Sequence, residues 1–147
     1  MDKQDPNLEQ QVWQRVHSGR CEPAGNDLRQ LQREAMELAA IYRGMISQVT
    51  GKQQELLRKL HRGERSNAEA LAGIGKLSRL GGENLRFWQP GKEDFQKTLE
   101  RCYHRTRRCM TEYLARSADG EFGVVFEQLA RREGDHCRMI AEVLGNL

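Results

Sequence analysis

Proline occurs only three times in the 147 residues, at Pro6, Pro23 and Pro90, and each stands outside the strongly periodic stretches. Proline removes a backbone donor and clashes inside a helix, so these three act as punctuation between segments that are free to be helical. The four cysteines, Cys21, Cys102, Cys109 and Cys137, contain no C-x-x-C pair. That spacing argues against a zinc ribbon or a rubredoxin-type iron centre. Cys102 and Cys109 would lie about 10 Å apart along one helix face, too far to bridge, and reduced thiols facing the core are expected. No run of apolar residues approaches the length that spans a bilayer, and the N-terminus MDKQDPNLEQQ is polar, unlike a signal peptide. A cytoplasmic protein with no membrane partner is therefore expected. Charge of one sign is scarce too: 24 basic residues are interleaved with 21 acidic ones for a net charge of +3. This is a weak basis for binding nucleic acid, and none is expected. Neither a catalytic serine, nor a Cys-His pair, nor a phosphate-gripping glycine loop is recognisable.

What is present is helical periodicity. The length suits one domain, and four-helix bundles with short connections fall in this range. A short amphipathic helix is expected over residues 7 to 17, followed by a loop to about residue 25. A first long helix runs from Asn26 or Asp27, either a good N-cap, to about Thr50, with the seam Leu28, Leu31, Ala35, Leu38, Tyr42, Met45 and Val49. Glu34 borders that seam, whereas Glu37 is expected to face away. A second helix runs from about Gln53 to Leu80, a third from about Glu93 to Ser117, and a fourth over 121 to 145. The fold class expected is all-α, with residues 26 to 147 as the bundle and residues 1 to 25 as an N-terminal appendage.

The connection GGENLRFWQPGKE, residues 81 to 93, is longer than the others. Extended, it reaches about 40 Å, enough to return along a full helix. Such a crossover makes the second and third helices parallel and joins two helical hairpins.

Two of the seams are broken by polar residues. In the fourth helix Phe126, Leu129, Glu133, His136, Ile140 and Val143 follow steps of three and four, so an acid and an imidazole sit where leucines belong. In the second helix Leu60, Glu64, Asn67, Leu71 and Ile74 have the spacing of Leu129, Glu133, His136, Ile140 and Val143. Likewise Leu31, Ala35, Leu38 and Tyr42 match Cys102, Thr106, Cys109 and Tyr113, and Glu34 falls on Arg105. The chain reads as two copies of one hairpin. A buried carboxylate needs a counter-charge, a hydrogen-bonding network or a metal, and all these polar residues fall near one depth of the bundle.

In this pattern, from about residue 26 to 147, the sequence resembles the rubrerythrin-like branch of the ferritin-like superfamily. The resemblance implies a bundle in which each hairpin supplies a Glu from its first helix and Glu-x-x-His from its second to hold iron or manganese. It matches Glu34, Glu64, Glu133 and His136 to ligand positions. Asn67 stands where the other His is expected and can ligate through its amide oxygen; Arg105 stands where the third helix should supply its Glu and cannot ligate. The resemblance thus implies a metal-binding redox protein that handles iron or peroxide, an oxidoreductase of di-iron type if it is an enzyme, fed by an external electron donor. The substitutions open another reading, a non-catalytic bundle whose metal-free core is an ion-pair network with Arg105 offsetting Glu34, Glu64 and Glu133. Ferritin-like bundles often pair, and Trp13, Phe87 and Trp88 offer apolar surface for a homodimer or for capping their own bundle. His61 is expected at the seam's boundary, His17 and His104 in solvent, and Tyr42 and Tyr113 in the core with satisfied hydroxyls.

Overall fold

The structure, a computed structural model, describes residues 22–76, 94–118 and 120–147. Among them are four α-helices and no strand: α1 Glu22–Met45, α2 Gly51–Gly75, α3 Phe95–Arg116 and α4 Gly123–Gly145, with a 3-10 turn Ile46–Gln48 after α1. The expected helix over residues 7 to 17, the crossover stretch 81 to 93, Cys21, Trp13, Phe87 and Trp88 lie outside the described residues. None of the described helices is long and apolar enough to cross a membrane.

The helices form because apolar residues recur at three and four, and each buries that stripe. Leu28, Leu31, Ala35, Leu38, Tyr42 and Met45 of α1 are buried, as are Leu57, Leu60 and Leu71 of α2, Leu99, Cys102, Cys109 and Tyr113 of α3, and Phe126, Leu129, Ile140 and Val143 of α4. Burying one Leu or Phe side chain contributes about 2 kcal/mol. Cys102, Cys109 and Cys137 are free thiols in this core. Burial repeats between the hairpins as the sequence does: Leu38 with Cys109, Tyr42 with Tyr113, Leu60 with Leu129, Leu71 with Ile140.

Contacts along the chain fix the directions. His61 Nδ1–H donates to the Ala39 carbonyl (2.9 Å), and Gln54 Nε2 donates to the Ile46 and Val49 carbonyls (3.0 and 3.1 Å), so α1 and α2 fold back on each other and Gln54 satisfies the turn between them. Arg116 lies over the Phe126 ring, which pairs the end of α3 with the start of α4. Gln53 donates to the Asn146 carbonyl and Lys52 pairs with Glu142, so the start of α2 meets the end of α4. It follows that α2 and α3 point the same way, as a full-length crossover requires.

Several boundaries differ from expectation. Helix α1 begins at Glu22, so Pro23 lies in its first turn, where a missing N–H costs nothing. Helix α2 starts at Gly51, which takes φ +63°, and ends at Lys76 in the left-handed conformation, with its N–H on the Ala72 and Gly73 carbonyls. Asp94 caps α3, its Oδ1 accepting from Lys97 N–H at 2.7 Å.

Candidate metal centre

The antiparallel contact of α2 and α4 brings Glu64, Glu133 and His136 together in the middle of the bundle, all buried, with 0%, 0% and 2% exposure. His136 Nδ1 lies 2.8 Å from Glu64 Oε2 and 2.9 Å from Glu133 Oε1. Glu133 and His136 share a face because they are three residues apart on α4. The opposite side of the ring lies against α2 at Gly63, where a Cβ would overlap Nε2 and stand 2.6 Å from Cε1. Glycine beside Glu64 is therefore what lets the imidazole enter between the helices. Only a residue without a side chain leaves that space.

Burial disfavours charge, and the proximity of Glu64 adds to it, so Glu133 holds its proton well above the usual carboxylate range. Burial alone would pull His136 down; its contacts with Glu133 and Glu64 outweigh that and raise it to about 9. Without a metal, one proton on Glu133 and one on His136 leave the three side chains neutral in sum. Hydrogen bonding is less complete than charge. Nδ1 has a single proton for two neighbouring carboxylates, and the geometry gives it to Glu64 Oε2. Glu64 Oε1 and both oxygens of Glu133 are buried with no hydrogen-bond partner, as are Asn67 Nδ2 and the Tyr113 hydroxyl.

These atoms suit a divalent cation. One ligand atom from each of the three residues lies within 4.8 Å of the others. Two ligands bound at about 2.1 Å and at right angles stand about 3.0 Å apart, close to the spacing of Nδ1 from both carboxylates. Two carboxylates and a neutral imidazole match a doubly charged ion, and all three side chains are buried.

The other two expected ligand residues are engaged by arginines. Asn67 is fully buried, and its Oδ1 accepts from Arg132 Nη1 at 2.9 Å. Glu34 Oε2 accepts from Arg105 Nε at 2.6 Å, and Glu37 Oε1 accepts from Arg105 Nη2 at 2.7 Å. Arg105 thus forks between two acids of α1 at the half-buried edge, and it pairs with neither Glu64 nor Glu133 as had been expected. Glu37 does not face away: three residues from Glu34, it reaches the same guanidinium, whose planar fork suits two carboxylates. Beside this clamp an open depression of about 400 Å³ between α1 and α3 is lined by Leu31, Glu34, Arg105, Arg108 and Cys109.

Of the remaining candidates, His61 is held on the Ala39 carbonyl and does not join the centre. His104 is exposed, edge-on to Tyr103. Tyr42 and Tyr113 are buried as expected; the Tyr42 hydroxyl lies 3.5 Å from Thr106 Oγ1, whereas that of Tyr113 has no partner among the described residues. Both phenols are pushed up, chiefly by burial. Gly63, Glu37 and Arg132 were missed from the sequence. Their signals were adjacency to Glu64, the step of three from Glu34, and adjacency to Glu133. No protein-family profile, no curated protein and no solved structure matches the chain.

Proposed function

We propose that the chain is a ferritin-like, rubrerythrin-like bundle that binds iron or manganese between Glu64, Glu133 and His136 and uses it in redox or peroxide handling. The observation that carries this reading is the buried trio itself: Glu64 Oε2 and Glu133 Oε1 lie 2.8 and 2.9 Å from His136 Nδ1, and the second oxygen of each carboxylate has no hydrogen-bond partner among the described residues. Orphaned acceptors of that kind cost about 1–3 kcal/mol each, and a cation held by one oxygen of each carboxylate would offset the charge of both. A bound iron or manganese would supply one-electron chemistry and a Lewis acid. The protein's part is to hold two carboxylates and a neutral imidazole in a water-poor space. Electrons would come from an external donor.

Anaerobic titration of chelator-treated protein with Fe(II) or Mn(II) at neutral pH tests the reading. Stoichiometric uptake is expected in the parent chain, falling roughly 100-fold in affinity in Glu133→Gln, which keeps the shape and removes one anionic ligand. No uptake by the parent would exclude a metal function. A second reading has its own support: Glu133 and His136 hold two protons that cancel the cluster's charge, and Arg105 and Arg132 occupy Glu34 and Asn67. On that reading the bundle is non-catalytic and its polar core serves structure or partner binding. A parent that takes up no metal and keeps its stability in chelator would favour it.

A further inference from the structure

The two hairpins repeat each other, so the polar residues of the centre come in pairs: Glu64 with Glu133, Asn67 with His136, Glu34 with Arg105. Where the pairs differ, the residue from the first hairpin is bound by an arginine of the second. Arg132 takes Asn67 Oδ1, the one atom through which that side chain can ligate a cation. Arg105 takes Glu34 and Glu37 with two different nitrogens. The contact of His61 with the Ala39 carbonyl sets the register of α1 against α2, and at about 1.5 Å per residue it brings Glu34 to the depth of Glu64 and Asn67.

We infer that Arg105 and Arg132 are built-in cations that occupy the first hairpin's half of the centre, so that it has room and charge for one metal ion and not two. The inference rests on the metal-binding reading for its ion but not for the arginines' role. Charge gives the same count. Glu34, Glu37, Glu64 and Glu133 together carry four negative charges when ionised, and the two guanidiniums return two, which leaves the charge of one divalent ion. A second ion would have to sit about 4 Å from the first, beside a permanently charged guanidinium and with its carboxylate already taken. Replacing Arg105 by an acid restores four uncompensated negative charges, the count for two ions, and His at position 67 supplies an imidazole on the vacant side.

Native mass spectrometry and Mn(II) electron paramagnetic resonance would read the result on the intact chain. The parent should take up one Mn(II) with the signal of an isolated ion. Arg105→Glu combined with Asn67→His should take up two, with the broadened signal of a spin-coupled pair. Arg105→Gln combined with Asn67→His serves if the first variant fails to fold: it leaves three uncompensated negative charges instead of two and frees Glu34 to ligate, so it too should gain a second ion, held more weakly than in the first variant. Two ions in the parent, or one ion in both the parent and a folded double variant, would overturn the inference. If the parent takes none while a double variant takes metal, the metal function falls and the arginines' blocking role stands. If no form takes metal, both fall.

Discussion

His136 owes its place to a missing side chain on another helix. Glycine inside a helix costs about 1 kcal/mol relative to alanine, so Gly63 is a local defect in α2 that the tertiary structure uses: its vacant Cβ position is filled by the imidazole. Gly63→Ala should therefore destabilise the chain by about 1–3 kcal/mol despite its better helix propensity, because the overlap must push the ring away from Glu64 and Glu133. If the centre holds a metal ion, the same variant should lose it. Urea unfolding of parent and variant checks the sign, and a variant as stable as the parent would mean that the ring has another place to go. At this scale Glu64, Glu133 and His136 were legible in advance, since a polar residue at a seam position is visible from spacing alone. The partners of Arg105 and Arg132 were not. Long side chains choose among acceptors within several ångströms, and that choice depends on how the helices are placed, which periodicity does not encode.

Elements are governed by their ends. Asp94 is an N-cap whose side chain accepts a backbone N–H of its own helix, and its loss in Asp94→Ala should cost about 1 kcal/mol, read as a lower urea midpoint with an unchanged slope. Gly73 gives the opposite sign. It is helical, exposed and has nothing near its Cβ position, so Gly73→Ala should stabilise by up to about 1 kcal/mol. Gly51 is equally open but has positive φ, and alanine there would be strained. If Gly73→Ala and Gly63→Ala moved stability in the same direction, intrinsic propensity and not the space around each residue would be the controlling factor. Helix cores were legible because their stripes repeat over six turns. Their ends were less so: Asn26 and Asp27 are good caps by residue type, yet the helix continues through them to Glu22, because Pro23 is tolerated in a first turn. Residue preference ranks the candidate caps without deciding which of them the chain uses.

At the scale of the molecule, the two hairpins, the parallel course of α2 and α3 and the mid-bundle polar cluster all followed from matched spacing and loop length. The occupant of the cluster does not, and proton linkage distinguishes the two states. In the metal-free chain His136 is raised to about 9, so its contribution is complete below about pH 6.5, the unfolded value, and is lost as pH climbs through about 9. Glu133, raised from a reference of about 4.3, keeps a proton that the unfolded chain has released, so it too makes stability fall as pH rises. Both groups give one sign. With metal bound His136 must be neutral and Glu133 ionised, protons compete with the ion, and stability must rise with pH over the same window. At free metal 100 times Kd the ion adds about 2.7 kcal/mol, and acidification removes it. Urea melts of the parent and of His136→Gln between pH 6.5 and 8.5 should therefore show a difference that shrinks with pH in chelator and grows with pH in Mn(II). Parallel slopes in the two media would mean that the ion does not reach His136, and a difference flat with pH in chelator would remove the charged imidazole from the account of this core.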